Sequence, residues 1–345
     1  MAPVSAELTE DRPAAPGGRA SSLMGVFRAR EMGVFLALVV MCIALTLMSD
    51  RFFTVTNLFN VGRQVSLLGI MAIGMTFVLI SGEVDLSVGS TYALSGIATG
   101  MVLIGGHGLA AALAVGIGCG LIVGALNGIL STYGRLPSLI ATLGMLSMVR
   151  GIALIITDGR PVTVNERNGA LPEVVERFEF LGQGQILGFV PMQLVFFVIV
   201  AAAGWFLLTR SAFGFRVFAV GGSAKTARIS GIDVNRVKIA AFTLMGGLAS
   251  LAGILSLAFL PSGQAGRMGL GLELDVIAAA IIGGTSLSGG EGTVIGTILG
   301  VLIIGVLRNG LVLVGVSPFV QEFLIGLVIV IAVAIDRWTR MSRAN

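Results

Sequence analysis

Five charged side chains lie within or at the edge of long apolar runs, where an ionised group is costly. They are Glu83, Asp85, Arg150, Asp275 and Glu322. A charge in such a run usually faces a bundle interior, a partner of opposite charge or water, and it often marks a transport path. For Asp85 a second interpretation is a helix cap, because the next apolar run begins just after it. Arg150 is interpreted as the structural partner of an acid.

The motifs of common enzymes are absent from the sequence. The only Lys followed by Ser or Thr is Lys225, and alanines stand at both glycine positions that a phosphate-binding loop requires. There is no HExxH motif, no cysteine cluster and no set of Ser, His and Asp, since the single histidine is His107 in a Gly-rich turn. We therefore expect no enzymatic activity, no metal and no cofactor bound by this chain.

Long apolar segments must position these charges. The sequence is 55% hydrophobic and 12% charged, against roughly 25% charged in a soluble domain, and its mean hydropathy is +0.99. A membrane-spanning helix needs about 20 apolar residues. Ten runs approach this length and predict an all-α membrane protein with about ten spans: 33–49, 64–81, 88–104, 109–131, 138–157, 191–209, 238–260, 274–289, 293–314 and 319–335.

The basic residues predict the orientation of these spans. Ten spans with a cytoplasmic N-terminus place both termini in the cytoplasm, with 14 Lys and Arg on the inner side and 7 on the outer. Basic residues concentrate on the cytoplasmic side of membrane proteins. The excess explains the net charge of +4 without a nucleic-acid partner. Residues 1–30 and 338–345 are predicted cytoplasmic tails, the first of them disordered, on either side of one transmembrane domain at 31–337.

Two polar intervals interrupt the apolar pattern. Residues 158–190 form the largest external loop, where Pro172 can begin a short charged helix. Residues 210–238 form the largest internal loop, with six Lys and Arg against one acid, Asp233. Either interval is a solvated connector or a docking surface for another protein.

A short pattern occurs twice at a constant spacing. Ile80, Gly82, Leu86, Ser87, Gly89 and Ile97 recur as Ile281, Gly283, Leu287, Ser288, Gly290 and Ile298. Transporters are often built from internal repeats with irregular backbone near the path. In a Gly-rich chain, chance remains the alternative.

Several motifs in a fixed order resemble the permeases of ribose-type bacterial sugar importers. They are the runs 81–90 (SGEVDLSVGS) and 273–292 (ELDVIAAAIIGGTSLSGGEG), with Ala141–Gly144, Arg150–Gly151, Gly159–Pro161 and the segment 52–60. The resemblance covers about residues 50–337. At position 83 many members of that family have Gly where this chain has Glu.

The resemblance implies a permease subunit in the bacterial inner membrane that pairs with a second copy or a close homologue. A periplasmic binding protein would deliver a monosaccharide, and a separate cytoplasmic ATP-binding subunit would hydrolyse ATP. A short helix near Ser223–Ser230 would dock on that subunit. The coupling residues are predicted to be Gly214, Arg216, Gly221, Gly222, Lys225, Ala227, Arg228 and Gly231.

Two further groups of residues are predicted from the polar groups at membrane depth and from the charged external helix. The path or gate residues are predicted to be Asp85, Ser87, Asp275, Ser286 and Ser288, and the binding-protein contacts are Glu173, Glu176, Arg177 and Glu179. Two alternatives stay open: a related permease for nucleosides or branched-chain amino acids, and an ion-coupled carrier that works alone. The small number of membrane charges disfavours the second, because such carriers use intramembrane carboxylates.

Overall fold

The computed structural model describes residues 29–317, 319–328, 330–331 and 334. The predicted tails lie outside these residues, apart from Ala29 and Arg30, which begin the first helix. The helices are α1 Ala29–Met48, α2 Val55–Ile80, α3 Val88–Ile104, α4 Leu109–Thr132, α5 Ser138–Thr157, α6 Pro172–Gln183, α7 Met192–Arg210, α8 Ala212–Gly222, α9 Ala224–Ile229, α10 Val234–Phe259, α11 Leu272–Ile282, α12 Val294–Leu313 and α13 Phe319–Val328. The described chain also has a short 3-10 helix at Glu166–Asn168 and four two-residue strands: β1 Val162–Thr163, β2 Gln185–Ile186, β3 Val190–Pro191 and β4 Ser262–Gly263.

Each of the ten predicted apolar runs contains a helix. Within the described residues, seven helices are long and apolar enough to cross a membrane: α1, α2, α4, α5, α7, α10 and α12. The helices α3, α11 and α13 are shorter, so ten spans remain a prediction. The run 274–289 is helical only as far as Ile282, because Gly283 ends α11 and Gly284 turns the chain with a φ of 97°. The protein is a multi-pass helical membrane protein.

The centre of the bundle is α10, which packs against α2, α3 and α4. Glycines allow this close approach: a Cβ at Gly120 in α4 would clash with the carbonyl of Gly246 in α10, and the reverse also holds. Lipid gives helices no hydrophobic reason to associate, so close contact between backbones supplies much of the attraction. The most enclosed of the seven long spans is α2, where 83% of the residues in its apolar stretch are buried.

The connections gather at two ends of the bundle, here called the α9 end and the α6 end. At the α9 end, the amide of Gly290 donates to the carbonyl of Ile80 at 2.9 Å. At the α6 end, β1 pairs antiparallel with β4, with Val162 opposite Gly263. The helix α7 runs between the two ends, so the intervals 158–190 and 210–238 lie at opposite ends.

Two short helices, α3 and α11, begin inside the bundle. The segment before α3 contacts Asn127, which is still within α4, and the segment before α11 contacts Arg150, near the middle of α5. The first turn of α3 meets both the segment before α11 and the first turn of α11, since a Cβ at Gly89 would clash with the carbonyl of Gly269 and with the Glu273 carboxylate. Irregular backbone at membrane depth is tolerated only where protein or water surrounds it. Polar side chains are therefore required beside both segments.

Candidate functional site

A buried cluster of Asp85, Ser87 and Asn127 stands before the first turn of α3. The carboxylate Oδ1 of Asp85 accepts bonds from the Ser87 amide at 2.8 Å and the Ser87 hydroxyl at 2.7 Å. Across the bundle, Asn127 Nδ2 donates to Ser87 Oγ at 2.8 Å and to both Asp85 oxygens at 3.3 Å. All three side chains are at most 2% exposed. Asp85 thus fixes Ser87, the residue just before α3, and also faces the bundle interior.

The rest of the segment 83–87 is fixed by neighbouring helices. The amide of Val84 donates to Ser138 Oγ at 3.3 Å and that of Leu86 to Thr142 Oγ1 at 3.0 Å, both in α5. Glu83 forms a salt bridge with Lys238 near the start of α10. The segment 83–87 forms no helix or strand of its own. The side chains of α5 therefore accept the hydrogen bonds of its amides, and Lys238 compensates the charge of Glu83.

The other predicted path residues lie apart from this cluster. Asp275, in the first turn of α11, pairs with Arg308 of α12 at 2.6 Å. Ser286 and Ser288 lie in the turn that follows α11, where the Ser288 amide donates to Ser286 Oγ at 3.0 Å, and only Ser286 is buried. The structure joins Asp85 to Ser87 but gives Asp275 a different partner. The partners Asn127 and Thr142 were missed by sequence reasoning; each is a polar residue within an apolar run.

Arg150 binds backbone rather than a carboxylate. Its Nη1 donates to the carbonyls of Ala265 at 2.9 Å and Met268 at 2.6 Å. Glu273 is near enough to act on Arg150 through its charge. Within the described residues Arg150 forms no salt bridge with the predicted acidic partner, and its hydrogen bonds go instead to the chain just before α11.

The predicted docking helix is α9. Ser223 caps its start by accepting the Thr226 amide at 3.2 Å. At its end, Gly231 adopts a φ of 82°, and the amides of Gly231 and Ile232 bond back to the carbonyls of Arg228 and Ala227. This is the glycine-terminated end that the sequence indicates.

The predicted coupling residues divide into two groups. Gly214, Gly221, Ala227 and Gly231 shape the segment: a Cβ at Gly214 would clash with the carbonyl of Leu208, and Ala227 is 4% exposed against the chain's own core. Arg216, Gly222, Lys225 and Arg228 are exposed. The exposed apolar side chains Phe215 and Ile229, at 70% and 79%, were not predicted.

One face of α9 combines charge with apolar surface. Lys225, Arg228 and Ile229 lie at positions i, i+3 and i+4, so they are neighbours on the helix surface. Ala227 points the other way, into the protein. We call these three exposed residues the α9 face.

The helix α8 touches both connections that carry the repeated pattern. A Cβ at Gly221 would clash with the carbonyl of Ile80, at the end of α2, and with the amide of Gly290. Gly289 likewise lies beside Gly82 and the Gly221 carbonyl. At the α9 end, the backbone of α8 therefore packs directly against the turns that follow α2 and α11.

At the opposite end, Pro172 begins α6, as the sequence predicts. Glu173, Glu176 and Arg177 are exposed, and Glu179 is half-buried. An open groove of about 510 Å³ runs along Glu176, Arg177 and Glu179. Within the described chain none of the four takes part in a salt bridge, so their charges are available to solvent. Phe178 anchors the helix, with no exposed area.

Comparison with known proteins assigns the chain to a family. The ribose import permease proteins of Escherichia coli strain K12 and Bacillus subtilis strain 168 are each 42% identical, over 89% of this chain and 93% of theirs. The L-arabinose ABC transporter permease protein of Azospirillum brasilense is 36% identical, over 90% of this chain and 88% of its own. No solved structure matches the chain. Residues 57–333 match the family described as branched-chain amino acid transport system / permease component, and the chain belongs to that family.

Proposed function

We propose that this chain is the membrane-spanning subunit of an ATP-driven importer for a monosaccharide. The observation that carries the proposal is the likeness, over about nine-tenths of the chain, to import permeases named for ribose and L-arabinose. The family description names branched-chain amino acids, and a permease for these or for nucleosides is the second candidate. The identity to sugar permeases favours the first.

In this proposal the α9 end faces the cytoplasm and the α6 end faces the periplasm. The basic residues of 210–238 support that orientation, because such residues concentrate on the cytoplasmic side. With about ten spans, both termini would then be cytoplasmic and the protein would lie in the bacterial inner membrane.

ATP hydrolysis belongs to a separate cytoplasmic subunit in this proposal. The α9 face offers that subunit an apolar side chain flanked by two basic ones, a combination suited to a groove with acidic edges. Ala227, Gly214 and Gly221 contribute by holding α8 and α9 in place. A movement of α8 would displace the turns after α2 and α11, because Gly221 packs against both.

The remaining partners are a second permease copy, or a close homologue, and a periplasmic sugar-binding protein. The spans α4 and α5 are each only 28% buried, which leaves apolar surface for lipid and for a second subunit. The binding protein would meet α6, whose charged groups are accessible.

The proposal is tested by uptake into proteoliposomes that contain the permease and its ATPase, with the binding protein outside. We expect uptake of ribose or arabinose that stops when ATP, the ATPase or the binding protein is omitted. Leucine uptake without sugar uptake would favour the second candidate. Uptake driven by an ion gradient alone would contradict an ATP-driven importer.

Reversal of all four charges on α6 is expected to weaken uptake at low concentrations of binding protein. Single surface pairs contribute only about 0–1 kcal/mol, so Glu173, Glu176, Arg177 and Glu179 are changed together. The concentration of binding protein at half-maximal uptake should rise several-fold, while the maximal rate stays near wild type. A titration that superimposes on wild type would remove α6 from the docking surface.

A further inference from the structure

A second polar site lies at the α6 end, where the chain forms a cleft of about 280 Å³ between α3, the end of α10 and the segment 260–269. We call this the entry cleft. Sites for drug-sized ligands usually span roughly 300–1,000 Å³, so the entry cleft suits a smaller solute. None of the path residues predicted from the sequence lines it.

The lining of the entry cleft combines neutral hydrogen-bonding groups with apolar walls. Tyr92, whose side chain is only 6% exposed, and Ser256 bring two hydroxyl groups to the lining. Gln264 and Ser262 stand at its exposed rim. Leu257 and Met268 form apolar wall. Such a lining matches a solute with several hydroxyl groups and an apolar ring face.

The charges of the entry cleft narrow the class of solute further. Arg267 is the one charged side chain among its described lining residues, and no carboxylate lines it. An amino acid could pair its carboxylate with Arg267, but no lining residue offers its ammonium group an anionic partner. Binding of such a charge without a counter-charge is unfavourable. A neutral polyhydroxy solute needs no counter-charge.

The floor of the entry cleft is made of backbone. Gly269 has a φ of 72°, and a Cβ there would clash with the carbonyl of Gly89 at the start of α3. Arg150 holds this floor through the carbonyls of Ala265 and Met268. On the other side of Gly89 stands Ser87, part of the cluster with Asp85. The entry cleft and the polar segment 83–87 thus follow one another along the line from the α6 end to the α9 end.

From this arrangement we infer that the entry cleft binds a neutral polyhydroxy solute of monosaccharide size on its way into the bundle. The contact between Gly89 and Gly269 closes the inner side of this site in the present conformation. The inference rests on the proposed function, since it assigns part of the transport path to this chain.

The test blocks the entry cleft after the protein has folded. Gln264→Cys is made in a background with Cys42 and Cys119 replaced by Ser, and the transporter is assembled with its ATPase and binding protein. Modification by a bulky thiol reagent should lower ribose uptake at least tenfold. Stimulation of ATP hydrolysis by the loaded binding protein should stay within twofold, because both docking surfaces are untouched.

Two controls make the result specific. A methyl-sized thiol reagent on the same cysteine should leave more than half of the uptake. The bulky reagent on Leu187→Cys, an 80% exposed position, should change uptake by less than twofold. Uptake by the wild-type transporter tests the proposed function separately, and each effect of modification is measured against the unmodified variant. Normal uptake with the entry cleft fully modified would overturn the inference.

The class of solute is tested on the same variant without binding protein. Excess ribose should slow modification of the cysteine at position 264 at least twofold, and excess leucine should have no effect. An effect of leucine alone, or of neither compound, would overturn the assignment to a polyhydroxy solute.

Discussion

Replacement of Ile229 by Asp is expected to weaken binding of the ATPase subunit to the permease at least tenfold, or about 1.4 kcal/mol. Ile229 is 79% exposed at the end of α9, beside Arg228. A side chain so exposed contributes little to the fold, whereas an apolar residue at the centre of a contact often contributes strongly to binding. Substrate-stimulated ATP hydrolysis and uptake should fall together. Co-purification and ATPase titration measure the effect.

Leu187→Asp is the matched control for Ile229→Asp. Leu187 is equally exposed, at 80%, but lies at the α6 end between β2 and β3. This variant should bind the ATPase as the wild type does. If Ile229→Asp also binds the ATPase normally, with both variants present in the membrane at wild-type levels, then the α9 face is not the contact.

Replacement of Gly221 by Ala is expected to reduce uptake at least tenfold. The added methyl group would overlap the carbonyl of Ile80 and crowd the amide of Gly290, and a backbone group cannot rotate aside as a side chain can. Overpacking of this kind usually costs about 1–3 kcal/mol. α8 would be displaced from both turns, so thermal stability of the purified permease should fall as well.

The neighbouring residue supplies the control. A Cβ at Gly222 meets nothing within 4 Å, and Ala is favoured over Gly within a helix by about 1 kcal/mol. Gly222→Ala should therefore keep wild-type uptake and equal or slightly higher thermal stability. Equal behaviour of the two alanine variants would show that the contact of α8 with Ile80 and Gly290 has no role in transport.

Features that depend on local sequence were predictable. Pro172 begins α6 and Gly231 ends α9, because proline suits a first helical turn and glycine suits a left-handed end. The helices themselves were predictable from the apolar runs, which are also a feature of the local sequence. The weakest of these, at 274–289, stops early at a pair of glycines, which allow but do not require a turn.

Features that depend on packing between distant segments were not predictable. Asn127 meets Asp85 only because α4 lies beside the segment before α3. The burial of Ala227 could not be read from a helix of six residues, which is too short to show a periodic apolar face. Arg150 was paired with an acid, since a sequence shows side-chain charges and cannot show carbonyls turned toward a guanidinium.

The segment before α11 is held through its backbone, so its position does not depend on its own side chains. Arg150 grips two carbonyls, and every residue type offers a carbonyl. The side chains at Gln264 and Arg267 can therefore be exchanged while the segment keeps its place. If the entry cleft binds the solute as we propose, a permease built in this way can acquire a different solute through substitutions at the rim of the cleft, with no change to the helices that hold it.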